Sequence, residues 1–191
     1  MTNLSRPFPS LRALSAPVLV LAWLAAATGA APAQADDPVA SLPAGPKTLL
    51  TELGDDPAKL TAMVGASRSS AEWLGELAGM GTDMTVEQQT MLAEYLALNV
   101  PVTAAGSDVA GIVAALPPDG RELFAATCSN CHGVASYYLL QDRDTAGWMD
   151  IFGAPYHRRL LTGDNERETF ASYATHAMPI PAGQIPEAWK Q

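Results

Sequence analysis

The chain has 191 residues at 20.0 kDa, with 11 Lys and Arg against 20 Asp and Glu for a formal charge of -9. That balance excludes a phosphate-backbone binder, which needs clustered cations, and suits a partner with a basic face. A composition 48% hydrophobic and 16% charged excludes general disorder, and two cysteines exclude a disulfide-dense scaffold.

Residues 1–35 read as a secretory signal. Arg6 and Arg12 precede the apolar run Val18-Leu19-Val20-Leu21-Ala22-Trp23-Leu24, and no acidic residue occurs before Asp36. Ala33-Gln34-Ala35 then supplies the small-x-small cleavage pattern. The run falls short of the about 20 apolar residues of a membrane span, so an uncleaved anchor is the alternative. Cleavage removes Arg6 and Arg12 and leaves 156 residues with 9 positive and 20 negative side chains, a net of -11. The expectation is a periplasmic protein with no membrane span.

Residues 36–103 read as a leading helix, a Trp73 helix and a closing helix. Ser69-x-x-Glu72 and Thr85-x-x-Gln88 are capping boxes for the last two. Met91, Leu92, Tyr95 and Leu96 form the apolar stripe of the closing helix. Residues 104–116, rich in Ala, Gly and Val, read as a linker.

In residues 117–191, Asp119 with Glu122 predicts a helix start, and Leu123, Phe124 and Thr127 follow at helical spacing. Cys128-Ser129-Asn130-Cys131-His132 is C-x-x-C-H, the attachment pattern of c-type haem. On a helical turn two thiols can form thioethers with the two vinyl groups of one porphyrin, and the adjacent imidazole faces the iron. Three other readings stand beside it. A redox dithiol would need a βαβ surround that is missing here. Half a zinc site would have to recruit His157 and His176. The third is a chance match or a structural disulfide. Export favours haem, because covalent attachment takes place outside the bacterial cytoplasm.

The chain also resembles itself. Leu42-Pro43-Ala44-Gly45 is similar to Leu116-Pro117-Pro118-Asp119-Gly120, and Trp73 aligns with Trp148 at a shift of 75. Ala93-Glu94-Tyr95-Leu96-Ala97 through Pro101 aligns with Ala171-Ser172-Tyr173-Ala174-Thr175 through Pro179 at a shift of 78. At the Trp offset, Cys128, Cys131 and His132 stand opposite Leu53, Asp56 and Pro57, so the first copy cannot hold a haem covalently.

On these residues the second half resembles the small monohaem cytochromes c, and more narrowly the haem subunits or domains of exported dehydrogenases. The match runs through Cys128 to His132, Asp142 to Trp148, and Tyr173 to His176, covering about residues 116–180; residues 42–102 match as a copy without haem. The resemblance implies an all-α fold of two small cytochrome-c-like helical units in tandem. It implies one covalent haem c on Cys128 and Cys131, with His132 as proximal iron ligand.

The sixth ligand departs from the family's pattern. Met80 lies seven residues past Trp73, and its counterpart window, Pro155 to Arg158, holds no Met but contains His157. His157 and Met178, the latter in a Met-Pro pair 46 residues past His132, are the two distal candidates. Met80 or Met84 reaching across from the first half is a third. Met149 reads as packing and His176 as a surface or core residue. Six-coordinate iron implies a single-electron carrier rather than an enzyme, serving a periplasmic dehydrogenase or oxidase with a basic docking face. The alternatives are a five-coordinate haem enzyme or gas sensor, with Tyr137, Tyr138 and Arg143 lining a distal pocket, and a structural subunit of a redox complex.

Overall fold

A computed structural model describes residues 41–129, 138–185 and 189–190; the signal segment lies outside them. Among the described residues every regular element is helical, and the all-α expectation holds. None of these helices is long and apolar enough to cross a membrane.

The helices begin where local chemistry starts them. α1 (Pro46–Glu52) and α2 (Pro57–Val64) each carry Pro in the first turn, where its missing N–H is no loss. Asp56 caps α2 by accepting from the N–H groups of Ala58 and Lys59. α3 (Ser70–Gly79) and α4 (Val86–Asn99) open on the Ser69/Glu72 and Thr85/Gln88 capping boxes, both with reciprocal bonds. α5 (Val109–Ala114), capped by Asp108, lies inside the segment read as a linker and buries Ile112 and Val113. α6 (Gly120–Leu123) opens on the Asp119/Glu122 box and runs on as a π-helical turn over Phe124–Cys128. α7 (Thr145–Met149), capped by Asp144, continues as a 3-10 turn over Asp150–Gly153. α8 (Glu166–Ala177) is the last α-helix.

The described residues, from 41 onward, form one compact unit. The Trp73 helix α3 and leading helix α1 pack on α4, while the Trp148 helix α7 and leading helix α6 pack on α8. α4 and α8 then pack on each other. Trp73, Tyr95, Phe124, Trp148, Phe170 and Tyr173 are all fully buried at that junction and beside it. Burying side chains of this size stabilises by about 2 to 3 kcal/mol each.

The polar contacts between the halves are reciprocal. The Tyr95 hydroxyl donates to the Pro117 carbonyl at 2.6 Å, and the Tyr173 hydroxyl donates to the Pro43 carbonyl at 3.0 Å. Burial pushes both phenols well above the ordinary tyrosine range. Ser172 Oγ donates to Glu94 Oε2 at 2.6 Å, joining residues that the shift of 78 makes counterparts. The leading helices meet at Asp119. One of its buried carboxylate oxygens accepts from Glu122 N at 2.9 Å, the other from Lys47 N at 2.9 Å. A single side chain thus closes the N-termini of α6 and α1. Burial raises its pKa, and the two backbone N–H groups oppose that rise.

Candidate functional site

α6 and its π-helical turn place Gly120, Phe124 and Cys128 at four-residue intervals, on one face of the run. Gly120 sits against α8. A Cβ there would lie 2.1 Å from Tyr173 Cβ and 2.8 Å from the Thr169 carbonyl oxygen. Only glycine permits this approach. One turn on, Phe124 is fully buried, with its ring edge-on to Tyr138 and to Trp189, both at 6.0 Å between centroids. A further turn on stands Cys128, also buried. The face that makes the helix crossing therefore delivers the first thiol of the motif into the aromatic core. Ser129 ends the run, with N–H to the Phe124 carbonyl at 3.3 Å and Oγ to the Ala125 carbonyl at 2.5 Å. Cys131, His132 and Tyr137 lie outside the described residues.

The chain re-enters at Tyr138 and Leu139, both buried. Tyr138 stacks on Trp148 at 6.4 Å, and Trp148 meets Phe170 edge-on at 6.0 Å. The Arg143 guanidinium lies 5.5 Å from the Trp148 ring centroid. Of the residues assigned to a distal pocket, Tyr138 and Arg143 are thus brought together on one indole. Among the described residues the buried indole N–H groups of Trp148 and Trp73 meet no acceptor. Arg68 covers the Trp73 ring at 4.9 Å as Arg143 covers Trp148. The orphaned N–H therefore belongs to the Trp helix in both halves and marks no haem pocket on its own.

The two distal candidates have different settings. His157 is half-buried on a 3-10 turn, His157–Arg159, with Nδ1 2.9 Å from the Ile151 carbonyl. A carbonyl only accepts, so Nδ1 is the donor in that bond and Nε2 is the ring's other nitrogen for a metal. Met178 is 5% exposed at the C-cap of α8. Ile180 N–H donates to the Leu139 carbonyl at 2.7 Å, fastening the Met178-Pro179-Ile180 segment to the chain that leaves the motif. Met149 packs half-buried on the core. His176 pairs with Glu94 at 3.2 Å across the α4–α8 contact, and this bond above all holds the Glu94 carboxyl below its usual range. Met80 and Met84 line cavities in the first half.

Trp189 escapes a reading by periodicity. It follows a proline-rich tail without an α-helix, yet packs buried on Phe124. The available signal was a single large aromatic residue in an otherwise polar and proline-rich end. Among the described residues, no three or more His, Cys, Asp or Glu side chains converge as a metal site. The chain matches no protein-family model, no curated protein and no solved structure.

Proposed function

We propose that the chain is an exported, periplasmic c-type cytochrome carrying single electrons on one haem attached through Cys128 and Cys131, with His132 as proximal ligand. The observation that carries the reading is the C-x-x-C-H motif at the end of a helix whose Gly120 is seated on α8 and whose Cys128 is buried. The donor chemistry fits, since a thioether is a neutral sulfur that an apolar core accepts without a charge to satisfy. A haem bound there supplies one-electron exchange at its iron.

The chain's own residues do the rest. Phe124, Tyr138 and Trp148 keep water from the thiol side. The Ile151 carbonyl orients the His157 ring through Nδ1, and Met178 offers a buried thioether instead. Ligation by either leaves no open iron position and no substrate chemistry. The first half is, in this reading, a degenerate tandem copy that has lost its attachment residues. Its support is the matched Arg-over-Trp pairs and the reciprocal Tyr–Pro bonds. The excess of carboxylates favours a redox partner with a basic docking face, a periplasmic dehydrogenase or oxidase, met through salt-sensitive association.

A pyridine haemochrome spectrum of the mature protein tests the reading. One covalent haem per chain is expected, absent from the Cys128→Ala/Cys131→Ala variant; a chain without covalent haem refutes it. The weak charge-transfer band of Met-ligated ferric haem assigns the distal ligand. Its loss in Met178→Ala but not His157→Ala selects Met178, and its absence from the parent selects His157. Rapid carbon monoxide binding by the parent would favour the five-coordinate alternative, an enzyme or gas sensor.

A further inference from the structure

The first half has no thiol at the position corresponding to Cys128, and a groove opens there. Two adjoining cavities share Leu53 and Met80, and Leu53 is the residue opposite Cys128 at the Trp offset. The first is floored by Leu50, Leu60 and Met63. The wider, of about 480 Å³, is floored by Leu49 and Met84 and edged by Glu52 and Asp83. Leu49, Leu50, Leu60 and Met63 are buried, Leu53, Met80 and Met84 are half-buried, and the charged lining residues Glu52, Asp56, Lys59 and Asp83 are exposed. Among the described residues Glu52, Asp56 and Asp83 form no ion pair, and with Lys59 they leave the lining net negative. Val86, which follows Met84 by two positions, is 69% exposed.

Three features define the ligand. The half-buried Leu53, Met80 and Met84 favour an apolar face, and the two thioethers can adapt to one. The lining's net negative charge, with Glu52 and Asp83 on the wider cavity, favours cations over anionic partners. These carboxylates do not converge as a metal site, so the charges they meet are spread along a surface rather than concentrated in one ion. We propose that this groove docks an amphipathic helix of a cationic protein partner, its Leu- or Met-bearing face on the floor and its Lys or Arg side chains along the Glu52–Asp83 rim. Helix-in-groove docking onto a methionine-rich floor is a general recognition mode. The inference rests on the cationic-partner element of the proposed function and uses no haem residue. It gives the haemless half a specific task.

The test titrates the mature protein with a synthetic Leu/Lys amphipathic helical peptide, read by fluorescence anisotropy. A peptide with Ser in place of Leu is the control. The Leu/Lys peptide is expected to bind, more weakly at high salt. Glu52→Lys/Asp83→Lys should weaken it by roughly tenfold or more, because both rim charges become repulsive. Asp150→Lys/Glu168→Lys, with the same net charge and exposed positions in the other half, should leave affinity within about twofold. Circular dichroism verifies the fold of each variant. Equal weakening by both double variants, equal binding of the Ser peptide, or no binding overturns the proposal. The haemochrome spectrum is independent of these outcomes. A haemless protein that binds the peptide sinks the cytochrome reading, and a haem protein that ignores the peptide sinks only the groove.

Discussion

The same substitution made at two glycines should change stability in opposite directions. At Gly120 a new Cβ meets Tyr173 Cβ at 2.1 Å and the Thr169 carbonyl at 2.8 Å, both on or beside backbone that cannot swing away. Ordinary carbon contacts lie at about 3.5 to 4.0 Å, so α6 must move off α8 by more than an ångström. Overpacking of this kind costs about 1 to 3 kcal/mol, and the bond between Tyr173 and Pro43 is strained with it. The gain from replacing glycine in a helix is about 1 kcal/mol at most. Gly120→Ala should therefore lose about 1 to 2 kcal/mol net. Gly75, exposed within α3, has nothing within 4 Å of its Cβ position. There the propensity gain stands alone, and Gly75→Ala should stabilise by about 0.5 to 1 kcal/mol. Urea unfolding followed by circular dichroism measures both. If Gly120→Ala is as stable as the parent, or if the two variants shift the midpoint in the same direction, the close crossing of α6 and α8 is refuted.

Asp119→Ala removes the acceptor of two helix N-termini at once and should cost about 2 to 4 kcal/mol, with Asp119→Asn costing less because one oxygen remains; urea midpoints rank the two. Tyr95→Phe and Tyr173→Phe should each cost about 1 to 1.5 kcal/mol in the same assay, since each removes one hydroxyl from a part-buried carbonyl in the opposite half. The Glu94 carboxyl is held below the ordinary glutamate range, first by the His176 hydrogen bond and further by Ser172, against the effect of burial. A depressed acid contributes stability that is present above about pH 4.5 and lost as pH falls through its folded value. Because Glu94 is partly exposed, the contribution stays under about 1 kcal/mol. Glu94→Gln should flatten the parent's loss of unfolding free energy between about pH 5 and 3, measured by urea titration at each pH.

The legible features of this fold are those whose cause lies within four residues. Three capping boxes at Ser69, Thr85 and Asp119 form as their sequence patterns require, because side chain and backbone meet without tertiary help. The Met91-Leu92-Tyr95-Leu96 stripe is buried as its period demands. α5 was hidden because Ala, Gly and Val leave no amphipathic signature over six residues, and its burial comes from packing against α1 and α2. The local cap of Asp119 is readable, but its bond to Lys47, 72 positions away, is not. In the site, the motif that attracts attention is purely local, while the seating of Cys128 depends on Gly120 against α8. A glycine in a first helical turn reads as neutral until the crossing partner is known. The two distal candidates sit at positions set by long-range contacts, His157 by the turn after the Trp helix and Met178 by the bond between Ile180 and Leu139.

The exchanged tyrosine bonds bear on how this chain can be shortened. A chain beginning after residue 103 would lack the Pro43 carbonyl that accepts from the Tyr173 hydroxyl, and would lose Lys47 from Asp119. A chain ending there would strand Tyr95 in the same way. Each half thus carries the complement of the other's interior. The first half therefore cannot be deleted without cost, whatever it does or does not bind, because the half with the C-x-x-C-H motif relies on it to complete its hydrogen bonding.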